Sequence, residues 1–278
     1  MNRIEAKITI SDILVLLLFL IVLAIPTYFA YTILFPRVEI FDTQENISEE
    51  GNESEEVIVD VFDTPHYEEI YESIEGEVAY IAVPKKITEV ILPTIVVYSH
   101  GSNTQVTMDT EDPFMKDLQL YGESFTENNY IFAASNQHGA NWGSSQAIQD
   151  TLNMVEWLKE NYNTQEKIYM IGYSMGGLPT LNFATTYPEM VSKIALLAPT
   201  TYSVEWNTER VGKISNIDIQ IWHGTADVNV PYSLSTTFVN RLGNLGRAIP
   251  LVTIEGIGHW DLDTEYIDEL VEYFSGNL

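Results

Sequence analysis

The sequence predicts an α/β fold: a mostly parallel, doubly wound sheet with helices on both faces. Three observations carry this. From about residue 78 onward, short β-rich runs alternate with helix-patterned segments. Several of the runs are apolar without polar alternation (TIVVY, KIYMIG, KIALLA), as strands buried on both faces are. The succession of strand, helix and strand is the pattern of βαβ units in an open sheet.

The expected strands are 78–83, 94–98, 130–134, 167–171, 193–197, 217–222 and 249–254. Between them, 145–162 reads as a helix. Ile148, Leu152, Val155, Leu158 and Tyr162 recur at helical spacing, and Ser144 or Ser145 supplies a cap. A second helix is expected to start near Gly176 and stop before Pro188. A third runs over 263–274 with Tyr266, Ile267, Leu270, Val271 and Phe274 inward. There is no internal repeat and no heptad pattern.

Size and composition bound the rest. The 278 residues fit one large domain plus a short extra segment, and 45% hydrophobic residues are ample for a core. With no cysteine there is neither a disulfide nor a thiolate metal site. A net charge of −27 repels nucleic acid and anionic headgroups. The charge is uneven. No lysine or arginine lies between Arg37 and Lys85, while residues 39–77 hold fifteen Asp or Glu. This tract reads as a solvated stalk, because its acids lack the spacing of a calcium-binding EF-hand loop.

Residues 13–35 carry no charge and are almost wholly apolar. At about 1.5 Å per residue they span roughly 30 Å of hydrocarbon. Pro26 would kink such a helix, and Tyr28 and Tyr31 suit an interface. A cleaved signal, leaving a secreted protein, and a buried core helix are the competing readings. The run 27–30 offers no small-x-small cleavage site, and the apolar run continues past it. Arg3 and Lys7 precede the span, and only Arg37 follows it closely, which places the amino terminus in the cytoplasm. The sequons at Asn46 and Asn52 suit an exported segment. The expected organisation is thus a cytoplasmic 1–12, a membrane anchor at 13–35, an acidic stalk at 36–77 and an α/β domain at 78–278, outside the cytoplasm.

The chemistry gathers at three motifs. Gly172, Ser174 and Gly176 form G-x-S-x-G between a β-rich run and a helix-compatible run. A nucleophile on so sharp a turn needs small neighbours two residues away. A serine hydroxyl needs a base, and the base needs an orienting acid. His259, in Gly-Ile-Gly-His-Trp, follows the run 249–254. Asp227, in His-Gly-Thr-Ala-Asp, follows the run 217–222. All three residues fall at carboxyl ends of expected strands, where an open sheet places its site.

With a fourth motif, Tyr98-Ser-His-Gly-Ser102, these stretches resemble the α/β-hydrolase superfamily of serine esterases, lipases and prolyl-oligopeptidase-like hydrolases. The resemblance covers roughly residues 78–278, including the chain order Ser, Asp, His. It implies the backbone amides of Ser102 and Met175 as oxyanion donors, with Gly101 or Asn103 as alternatives to Ser102. It also implies ester or related acyl-bond hydrolysis of a small acyl substrate, with no cofactor. A peptidase or acyltransferase would use the same residues, and a membrane-tethered binding protein would keep the scaffold without the chemistry. Only eighteen residues, 199–216, separate two strands where a lid is usually inserted, so the lid is expected to be minimal. Candidate pocket residues are His100, His138, Trp142, Tyr202, Trp206 and Trp260. His100 and His223, each before a glycine at a strand end, read as structural, and His66 as exposed. No metal-binding spacing, P-loop or dinucleotide fingerprint occurs.

Overall fold

The computed structural model describes residues 66–87 and 91–276. The expected anchor at 13–35 and all but the end of the expected stalk lie outside these residues. Among the described residues no helix is long and apolar enough to cross a membrane.

Among the described residues eight strands form one sheet: β1 (Tyr67–Ile74), β2 (Glu77–Pro84), β3 (Thr94–Ser99), β4 (Tyr130–Ser135), β5 (Ile168–Tyr173), β6 (Val191–Leu197), β7 (Asp218–Gly224) and β8 (Leu251–Ile254). Their order across the sheet is β1-β2-β4-β3-β5-β6-β7-β8. The pairs from β4 to β8 are parallel, and β1 and β2 add an antiparallel margin.

Strand β1 corrects the boundary read from composition, since residues assigned to the stalk begin the sheet. Glu75 and Gly76 turn the chain with φ of 50° and 96°. Positive φ at both central residues matches the right-handed twist of a tight hairpin. The acidic residues misled because Glu68, Glu69 and Glu72 are all exposed, on a strand with solvent beside both of its faces.

Among the described residues six α-helices alternate with the strands: α1 (Pro113–Glu127), α2 (Ser145–Asn161), α3 (Gly177–Thr186), α4 (Thr208–Lys213), α5 (Ser233–Asn244) and α6 (Ile267–Ser275). Strand pleating sends successive side chains to opposite faces. Ile95 and Val97 of β3 join one core with Val155 of α2, Phe183 of α3 and Phe238 of α5. Val96 and Tyr98 join the other core with Leu118 of α1 and Leu270 of α6. Burial on both faces explains the unbroken apolar runs. Each fully buried Leu, Ile or Phe contributes about 1.5–3 kcal/mol.

The expected helix 145–162 is α2, capped by the Ser144 hydroxyl, which accepts from the Ala147 amide. The third expected helix starts later, because two 3₁₀ turns, Trp260–Leu262 and Thr264–Tyr266, precede α6. Helix α1 was not legible in sequence. Asp112 caps it, with Pro113 in the first turn. Gly122 sits in its middle because a Cβ there would meet the Tyr80 hydroxyl at 2.5 Å and Ala82 at 2.8 Å.

Candidate active site

Strand β5 ends at Tyr173 and the chain turns at once through Ser174–Gly176 into α3. Ser174 has φ of 54°. For a residue with a Cβ this left-handed conformation costs about 1–2 kcal/mol. The neighbours make it possible. A Cβ on Gly172 would stand 2.8 Å from the Gly176 carbonyl, and one on Gly176 would collide with the Ser99 carbonyl. The turn is pinned from the loop after β6, where the Thr200 amide donates 2.7 Å to the Ser174 carbonyl.

Asp227 and His259 come from the loops after β7 and β8. The two loops are joined: Thr225 donates to the Ile254 carbonyl at 2.9 Å and Ala226 to the Ile257 carbonyl at 3.0 Å. Gly224 leaves room for this, since a Cβ there would strike the Ile257 carbonyl. Asp227 Oδ1 accepts the amides of Asn229 (2.9 Å) and Val230 (2.8 Å). His259 Nδ1 lies 2.7 Å from Asp227 Oδ2, and His259 Nε2 lies 3.0 Å from Ser174 Oγ. A carboxylate only accepts, so Nδ1 carries the hydrogen and Nε2 presents a lone pair to the serine hydroxyl. All three side chains are buried. The geometry is that of a hydroxyl paired with a base whose tautomer is held by an acid.

Comparison with known proteins agrees with the fold. A family model described as "alpha/beta hydrolase fold" matches residues 114–217. A search of curated protein sequences finds no significant match. Among solved structures, Est1E from Butyrivibrio proteoclasticus superposes with a TM-score of 0.55 at 20% identity, over 75% of this chain and 98% of that one. A thermostable esterase gives 0.59 at 18% identity, over 76% and 63%. The acylaminoacyl peptidase of Pyrococcus horikoshii gives 0.57 at 15% identity, over 76% and 42%.

The chain has the α/β-hydrolase fold.

In this α/β-hydrolase domain a cavity of about 280 Å³ opens onto Ser174 and His259. It is lined by Gly101, Ser102, Asn103, Thr104, Trp142, Tyr173, Thr200, Asn229, Val230, Leu234 and Trp260 as well. The loop after β3 brings Ser102 to the cavity. Its neighbour Gly101 passes so close that a Cβ there would lie 3.6 Å from the Ser174 Cβ. Met175 follows Ser174 in the turn, and its sulfur accepts the Trp142 amide at 3.4 Å. Trp142 and Trp260, both more than half exposed, line the cavity.

Four expected pocket residues lie elsewhere. Trp206 is a core residue: it packs on Phe238 at 5.3 Å, the Arg210 guanidinium covers its ring at 4.4 Å, and its carbonyl accepts from Arg241. Tyr202 is half exposed and outside the cavity lining. His100 is fully buried. Its Nε2 faces the Asn136 carbonyl at 2.9 Å and its Nδ1 the Gly101 carbonyl at 2.7 Å, which ties the loop after β3 to the end of β4. His138 turns to Asp150 (2.6 Å) and Glu77 (3.3 Å). The bond to Asp150, and then the charges of Asp150 and Glu77, raise its basicity. Glu77, His138 and Asp150 are also the one group among the described residues with three possible metal-ligand atoms close together.

Thr104, Thr200, Asn229, Val230 and Leu234 were not foreseen. Asn229, Val230 and Thr104 lie close to the motifs in sequence, whereas Thr200 and Leu234 reach the cavity only through the fold. The segment between β6 and β7 holds one 3₁₀ turn and the six-residue α4, so no large lid is present.

Proposed function

We propose that the protein is a serine hydrolase that cleaves an ester through an acyl-enzyme on Ser174. The observation that carries this is the chain of two bonds, Ser174 to His259 at 3.0 Å and His259 to Asp227 at 2.7 Å, at the floor of an accessible cavity. His259 takes the Ser174 proton as the oxygen attacks the carbonyl. Asp227 holds the tautomer and stabilises the imidazolium. His259 then protonates the leaving group, and water repeats the cycle on the acyl-enzyme. The amides of Ser102 and Met175 are the proposed oxyanion donors, worth about 3 kcal/mol each.

The cavity supports a compact, neutral substrate. Its lining contains no Asp, Glu, Lys or Arg, and its volume of about 280 Å³ is small. No carboxylate waits there for the α-ammonium of a peptide. Trp142 and Trp260 offer an apolar rim. We further propose that residues 13–35 hold this domain to a membrane, outside the cytoplasm, on the basis of their uncharged apolar sequence.

A fluorophosphonate probe tests the reaction. The full chain should be labelled and Ser174→Ala should not; an unlabelled, folded wild type overturns the reading. p-Nitrophenyl esters of increasing chain length should be cleaved with preference for the short ones. Faster cleavage of aminoacyl anilides than of any ester would turn the assignment to a peptidase.

A further inference from the structure

Two imidazoles, not one, meet the Asp227 carboxylate. His223, fully buried at the end of β7, has Nε2 2.8 Å from the Val230 carbonyl and 3.2 Å from Asp227 Oδ2. Its Nδ1 lies 2.7 Å from Ser235 Oγ on α5. A carbonyl and a carboxylate are both acceptors, so Nε2 carries the hydrogen. Nδ1 is then a lone pair, and the Ser235 hydroxyl donates to it. Desolvation lowers the basicity of His223, in keeping with a neutral ring.

We propose that His223 is a positioning residue for the Ser174 reaction: a neutral imidazole, its tautomer set by Val230 and Ser235, that donates a second ring N–H to the Asp227 oxygen holding His259. The proposal rests on the reading of Ser174 as nucleophile. Asp227 Oδ1 is occupied by the two amides of its own loop, and Oδ2 is shared by the two histidines. The sharing fixes the plane of the carboxylate, which fixes the direction of the His259 ring. It also draws part of the Asp227 carboxylate charge away from His259.

The other titratable groups around His259 come from two elements. Tyr173 of β5 stacks on the ring at 5.1 Å. Asp261 and Asp263 follow on the His259 loop, where Asp261 accepts the Gly258 amide. Neither explains a tautomer locked at His223.

The test uses the full chain in two measurements. ¹⁵N-histidine NMR reads the ring directly: His223 should show hydrogen on Nε2 and be neutral at about pH 7. The pH profile of fluorophosphonate labelling reads the consequence. In His223→Phe its acid limb should move up by about one pH unit, the size expected for one lost hydrogen bond to a charged group. His223→Gln, which keeps an N–H of similar reach, should return the limb toward wild type. Should His223→Phe not fold, Ser235→Ala should move the limb the same way by less, because an unsupported Nδ1 leaves Nε2–H a weaker donor. Hydrogen on Nδ1, titration of His223 as a free imidazole, or an unmoved limb in a folded variant overturns the proposal and leaves the hydrolase reading intact. Absence of any wild-type labelling overturns both.

Discussion

The phenol of Tyr173 lies on the imidazole of His259, with ring centroids 5.1 Å apart and planes 29° apart, and its hydroxyl donates 3.1 Å to the His259 carbonyl. The residue before the proposed nucleophile therefore holds the proposed base at both its ring and its backbone. Tyr173→Phe keeps the stacking and drops the donor. The buried His259 carbonyl then goes unpaired, and stability should fall by about 1–2 kcal/mol in urea unfolding. An unchanged midpoint would mean that the bond adds nothing.

The turn at Ser174 makes a sharper demand. Gly176→Ala drives a methyl into the Ser99 carbonyl on the neighbouring strand. Backbone cannot step aside cheaply, and a loss of about 3 kcal/mol or more is expected. Gly243→Ala is the control, because nothing lies within 4 Å of its added Cβ. There the better helix former should raise the melting temperature slightly. Equal effects at both positions would contradict the collision.

Two tryptophans separate packing from binding. Trp206→Ala empties a core site and should cost about 3–5 kcal/mol, with KM for a short ester little changed in the folded fraction. Trp260→Ala, at the exposed rim of the cavity, should do the reverse. Stability would hold while KM rises severalfold. A Trp206 variant of normal stability and raised KM would return that residue to the pocket.

Asp263 gives a pH signature. Both the Tyr98 and Tyr121 hydroxyls donate to its Oδ1 at 2.9 Å, yet burial prevails and pushes its carboxyl up to about 6. The folded protein therefore binds this proton more tightly than the unfolded chain does. Its contribution is fully present below about pH 4 and is lost as pH rises through about 6, by up to about 3 kcal/mol. Urea unfolding of wild type and Asp263→Asn between those pH values should show wild type losing ground steadily toward neutral pH. A constant difference would refute the shift.

Much of the site was legible because its chemistry constrains backbone as well as side chains. Gly172 and Gly176 are required by collisions, and Asp227 and His259 stand where strands end, so spacing alone found them. Long-range packing was not legible. Trp206 and Trp260 look alike in sequence, and only the fold shows that one is covered by Phe238 and Arg210 while the other is open. His223 read as structural because it precedes a glycine at a strand end. That it reaches the same carboxylate oxygen as His259 depends on how two loops close on each other. Strand β1 was hidden by its glutamates and α1 by a mid-helix glycine, two cases in which tertiary contact overrode local preference.

Those glutamates have a further consequence. Strand β1 ends the sheet among the described residues, and its eight residues present an unpaired row of backbone donors and acceptors on the outer side. Such an edge is a template on which another chain can crystallise a shared sheet. Glu68, Glu69 and Glu72 are exposed along it. A second copy laid against this edge would bring its own carboxylates within about 5 Å of them. Mutual repulsion at that margin keeps crowded molecules from growing into one another.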